Sequence, residues 1–154
     1  MSERWSYMPS LRNEKTRNGL IQRLQRITPD TKPRWGKLDA PRLLCHLSDT
    51  FEMSLGTLFV PSHNIKLLQR FPFKHLFLYV IPFPKGAKAP SEVLKTPPGN
   101  FESDRKRLFD LIGRLASTPR AQGPEHPFFG PLTNDEWNSL HWKHISHHLK
   151  QFGL

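Results

Sequence analysis

Prolines constrain this chain more than any other residue type. Of the 15, seven fall between Pro61 and Pro98 and four more between Pro119 and Pro131. A proline lacks the backbone N–H that a helix interior uses, so neither region can hold a long uninterrupted helix. The stretches between them can, and four helical segments are predicted.

The first runs over about residues 10–27, with Leu20, Ile21, Leu24 and Ile27 at helical spacing and arginines opposite. The second opens at "LDAPRLLCHLSDTFEMSLGTLF". There Asp39 is a suitable N-cap, because its carboxylate can accept an orphaned backbone N–H. Pro41 sits in the first turn, where its missing donor is not needed. This segment is expected to reach Leu58. The third, "NFESDRKRLFDLIGRLAS", sets Phe101, Leu108, Leu111, Ile112 and Leu115 on one stripe and stops before Pro119. The fourth starts at "TNDEW", where Thr133 and Glu136 have the spacing of a capping box, and ends near Gly153.

No stretch shows the sustained alternation of a half-buried strand, so the expected fold class is all-α, a four-helix bundle. About 40 residues join the second helix to the third, far more than antiparallel neighbours need. The expectation is therefore an up-down-down-up order with a long crossover between helices 2 and 3. Within that crossover, the apolar runs in residues 64–80 suit a short extra helix or lid.

At 154 residues without an internal repeat or a linker-like break, the chain reads as a single domain over residues 1–154. Its formal charge is +10, from 23 basic and 13 acidic residues. The basic residues are scattered in short clusters, which is the pattern of a solvated surface; nucleic acid is not an expected partner. The most apolar run, "HLFLYVIPFP", is shorter than the ~20 residues a membrane span requires, and no membrane partner is expected. One cysteine, Cys45, excludes an internal disulfide. With a polar and aromatic opening over residues 1–7 in place of a leader, it supports a cytoplasmic location.

The chemistry-bearing stretch is "HWKHISHHLKQFGL", with four histidines in eight residues. At about 100° per residue, His144 and His148 project about 40° apart, in the same sector as Trp137, Leu140 and Gln151. His141 and His147 fall to either side, at the edge of the interior. A pair one turn apart can converge two ring nitrogens on one ion. In the expected bundle the beginning of the second helix adjoins the end of the fourth, which brings His46 to the same depth. Three histidines without a fourth protein ligand leave positions open for water or substrate, as a reactive metal site requires.

These residues carry a resemblance. "RLLCHLSDTFEM", "HPFFGPLTNDEW" and "HISHHLKQFG", with "IPFPKGAKAP" in the crossover, resemble the DinB-like superfamily of four-helix metal proteins, specifically its branch of uncharacterised small bacterial domains. The resemblance runs from about Trp35 to the C-terminus. It implies one divalent ion, zinc or nickel, held by His46, His144 and His148. It also implies, less directly, a transferase or isomerase using a low-molecular-weight thiol.

The leading reading is a divalent-metal-dependent enzyme acting on a small molecule, either a hydrolase or a low-molecular-weight-thiol-dependent transferase. A bound ion would lower the pKa of a water or hold a thiol as thiolate. The alternatives are a metal-binding bundle without turnover and, behind it, a basic nucleic-acid-associated protein. Asp49 is a candidate to orient a ligand or accept a proton, against the plainer reading of a surface carboxylate. Thr50 and Met53 are expected at the pocket floor or simply in the packing. Gln151 either meets a substrate or caps the interior. His126 is read as a loop anchor, while His63, His75 and Cys45 are excluded as ligands. Trp142 and Leu149, on the outward side of the last helix, point to a dimer face or to contact with the lid.

Overall fold

The computed structural model describes residues 9–154, so residues 1–7, on which the leader reading rests, lie outside the described residues. Four long helices dominate: α1 (Glu14–Gln25), α2 (Ala40–Ser54), α4 (Phe101–Ser117) and α5 (Asn134–Gln151). A short helix, α3 (Phe73–Tyr79), and a 3-10 turn (Ser91–Leu94) lie between α2 and α4. Two strands, β1 (Gln122–His126) and β2 (Gly130–Thr133), lie between α4 and α5.

Each long helix begins where a side chain takes an orphaned backbone donor. Asn13, Asp39 and Asn100 accept from Thr16, Arg42 and Ser103 at 2.9, 2.9 and 3.0 Å. Thr133 and Glu136 form the full capping box, at 3.1 and 2.8 Å. Asn13 also explains why α1 starts four residues later than the apolar spacing suggests: the backbone turns helical only after its cap. At the other end of α2, Gly56 takes φ 78°, which ends the helix at Ser54 rather than at Leu58.

Contacts between side chains set the helix directions. Cys45 meets Asp104 at 3.7 Å and Glu52 meets Arg107 at 2.8 Å, so α2 and α4 ascend together. Ser54 meets His141 at 2.9 Å while His46 meets His144 at 3.2 Å, so α2 and α5 run opposed. Arg12 donates to the Ala116 carbonyl, and Arg105 to that of Gln25, both at 3.1 Å; α1 and α4 are opposed as well. The core lies where these faces meet and includes Leu24, Leu43, Leu47, Phe51, Ile112, Leu115, Trp137 and Ile145, all fully buried.

The expected all-α four-helix bundle is corrected: among the described residues the fold is mixed, with five helices and a two-stranded antiparallel sheet, while the four long helices keep the relative directions just described. The hairpin escapes a search for alternation because its sequences, "QGPEH" and "GPLT", are rich in glycine and proline. Those residues are tolerated because in a two-stranded sheet both strands are edges, and an edge proline gives up no ladder bond. Pairing runs Gln122↔Thr133, Glu125↔Pro131 and His126↔Gly130, with an irregularity between Gln122 and Glu125. The hairpin rests on the start of α5, where the Trp137 indole donates to the Pro124 carbonyl at 3.1 Å.

The crossover forms α3 where residues 64–80 suggested a short helix, and α3 packs on α5. It leaves Phe59 and Phe71 largely exposed, at 83% and 72%. Among the described residues no helix is long and apolar enough to cross a membrane.

Candidate metal centre

His46 lies in the second turn of α2 and is buried. Its Nδ1 is 2.9 Å from the carbonyl of Val93, in the 3-10 turn of the crossover. A carbonyl only accepts, so Nδ1 carries the proton and Nε2 presents a lone pair. His148, in the last turn of α5, is held in the same way: its Nδ1 is 2.8 Å from the side-chain oxygen of Gln151. Gln151 is itself fixed, donating through Nε2 to the Trp35 carbonyl at 2.9 Å. That approach needs Gly36, which has φ 81° and where a Cβ would lie 2.8 Å from Gln151 Nε2.

His144 stands between them. Its Nε2 is 3.2 Å from Nε2 of His46 and 3.0 Å from Nε2 of His148, and the three candidate ligand atoms all lie within 4.8 Å of one another. Two imidazole nitrogens bound tetrahedrally at 2.0–2.1 Å would be about 3.3 Å apart, so the adjacent pairs are at coordination distance. The arrangement is also short of protons. His46 and His148 both direct lone pairs inward, and one N–H on His144 can lie along only one line at a time. A cation at the centre satisfies all three nitrogens at once. The three histidines could hold a metal ion.

Electrostatics favour the ligand-competent form. Burial pushes the pKa of His46 below its ordinary value, and that of His148 down to about 3. His144 falls well below, first through burial and then through the neighbouring His148 and His46. All three rings are therefore neutral near pH 7, as metal ligation requires.

The other candidates separate by environment. Asp49 is not a surface carboxylate: it is 2% exposed, accepts from the Thr96 hydroxyl at 2.7 Å, and lies 3.8 Å from the Arg107 guanidinium. It ties the end of the crossover to α2, close behind the Val93 carbonyl that orients His46. Thr50 is buried with its hydroxyl donated to the Leu47 carbonyl at 2.7 Å, inside its own helix. Met53 packs in the hydrophobic core. Gln151 holds the His148 ring, a role that neither of its readings from the sequence contains.

His141 is a core residue, stacked 3.8 Å from Phe51 and bonded to Ser54. Burial takes its pKa down to about 3. His126 anchors the hairpin loop, accepting from the backbone N–H of Phe128 and Phe129 at 3.1 and 3.3 Å. The buried Cys45 thiol faces Asp104; burial, and next that carboxylate, push its pKa up to about 11. Leu149 is fully buried, so it is no dimer contact, and Trp142 packs against the core's edge beneath α3 and the chain that follows.

Sequence reasoning misses three participants. Val93 and Trp35 act through backbone carbonyls, which no residue pattern announces. Phe83, which sets its ring edge to His144 at 5.9 Å, lies within "IPFPKGAKAP" and so had a signal, the resemblance of that segment.

The chain belongs to the family described as a protein of unknown function, DUF1569, which matches it over residues 10–153. No curated protein and no solved structure matches it.

Proposed function

We propose that this member of the DUF1569 family is a divalent-metal-dependent enzyme acting on a small molecule, with His46, His144 and His148 as the ligands. One observation carries the reading: three imidazole Nε2 atoms converge at 3.0 and 3.2 Å, with the Nδ1 protons of His46 and His148 committed elsewhere. The resemblance to the DinB-like superfamily supports the same ligand set and favours zinc or nickel, both of which imidazole suits. When bound, the ion supplies Lewis acidity, lowering the pKa of a water or thiol at its open positions.

The chain's residues define what else the site can do. Val93 and Gln151 hold the outer rings in the tautomer that ligates, and Phe83 shields His144 from solvent on one side. Cys45 supplies no nucleophile, since its thiol is held protonated against Asp104. The nucleophile therefore comes from outside the chain, as water in a hydrolase or as a small thiol in a transferase. Asp49, engaged by Thr96 and Arg107, is not free to act as general base. That last observation favours the second reading, a metal-holding protein without turnover.

Metal analysis of untagged protein separates these readings from none at all. About one equivalent of divalent ion is expected after reconstitution and loss of most of it in His46→Ala, His144→Ala and His148→Ala. Equal, low metal in all four proteins would remove the proposal. Turnover of a model ester or a thiol adduct that disappears in His148→Ala selects the enzyme, and metal without turnover selects the second reading.

A further inference from the structure

A cleft of about 430 Å³ opens on the other side of Phe83 and His147 from the histidine cluster. That is the size of a small-molecule site. One wall is a single face of α5, on which Ser139, Trp142, Lys143, Ser146, His147 and Lys150 recur at helical spacing. The facing wall comes from the end of α3 and the chain after it, with Tyr79, Phe83 and Lys85, and Trp35 closes one side. Four aromatic rings and three ammonium groups thus line one space, and among the described residues no carboxylate side chain lines it.

The charges are not equivalent. Lys143 is engaged by the carbonyls of Phe77 and Ile81, and it braces the end of α3 against α5. Lys85 lies 4.6 Å over the Trp35 ring, and Lys150 belongs to the outer end of the α5 wall. Ser146 lies in the same wall, 8% exposed, with its hydroxyl turned away from solvent.

We infer that this cleft binds a small aromatic carboxylate or similar planar organic anion, stacked between the rings of Trp35, Phe83 and Trp142, with its charge toward Lys85 and Lys150. Stacking on these faces recognises a flat ring, and the excess of cations selects an anion over a neutral isostere. Its place beside the cluster makes such an anion the substrate class of the centre. That second step rests on the proposed metal function; the binding itself does not. Phe83 and His147 are the shared wall, since each ring touches both the cleft and the cluster.

The test is calorimetric titration of the full chain with three probes: 2-naphthoate, its neutral counterpart 2-naphthalenemethanol, and the non-aromatic anion cyclohexanecarboxylate. Naphthoate is expected to bind at least about tenfold more tightly than either of the others, because the alcohol forgoes the attraction to the ammonium groups and the cyclohexane ring forgoes the stack. Lys85→Ala, on the surface and away from the core, should weaken naphthoate about fivefold, with circular dichroism and metal content unchanged. Trp142→Ala should weaken it further. In His46→Ala, naphthoate binding is expected to persist while metal is lost, so failure of the metal reading and failure of this one are distinguishable. Equal affinity for naphthoate and the neutral alcohol, or no change in both Lys85→Ala and Trp142→Ala, would overturn the inference.

Discussion

At the level of single residues, the cluster depends on groups that never touch the ion position. Gln151 sets the tautomer of His148 and is itself set by Trp35. Gln151→Ala is therefore expected to lower divalent-ion affinity by about 10- to 100-fold, the usual effect of removing an orienting partner, while helix content stays unchanged. Competition with a colorimetric chelator measures it, and unaltered affinity would show that His148 needs no such support. Gly36→Ala acts one step further out. Its added Cβ would meet Gln151 Nε2 at 2.8 Å, at a φ of 81° that disfavours any side chain. A loss of about 1–2 kcal/mol in urea unfolding is expected, together with weaker metal binding.

Among the elements, the helix starts are specified locally and the hairpin is not. Thr133 caps α5 and also ends β2, so the hairpin and the helix that carries His144 and His148 share one residue. Thr133→Ala is expected to cost about 1 kcal/mol by removing the cap bond. Hydrogen exchange should locate the loss in the first turn of α5, far from His144 and His148, with metal content preserved. The 3-10 turn is a second such junction. Asp49 binds Thr96, and that bond keeps the chain after Val93 against α2. Asp49→Ala should therefore loosen the crossover, seen as faster proteolysis near Thr96, and should lower metal affinity through His46. Rapid cleavage with undisturbed affinity would separate the two effects and leave Val93 as a bystander.

For the molecule as a whole, the buried histidines make stability depend on pH. His126 and His141 are both pushed from an ordinary 6.5 down to about 3 by burial. Their folded values lie below their unfolded ones, so the unfolded chain binds protons first. Stability is then complete above pH 6.5 and falls as pH drops toward 3, at up to about 1.4 kcal/mol per pH unit for each histidine. Urea unfolding in the presence of a chelator should show this decline between pH 6.5 and 4, with a shallower slope in His126→Asn. A flat profile over that range would mean that these rings are accessible to protons in the native state.

Local features were legible in the order of amino acids alone. Asp39 and Thr133 cap helices because a short polar side chain can reach an orphaned N–H within its own turn, and that chemistry needs nothing distant. The shared face of His144 and His148 is likewise a consequence of helical periodicity. Other features required the folded chain. The β1–β2 hairpin exists because α5 and α2 give glycine- and proline-rich strands a surface to pair on, which no alternation records. His46 is brought to His144 across 98 residues, and Val93, Trp35 and Gly36 act on the cluster through backbone atoms and close approach. Side-chain chemistry is written in the sequence. The meeting of carbonyls and ring nitrogens from four segments is decided only by packing.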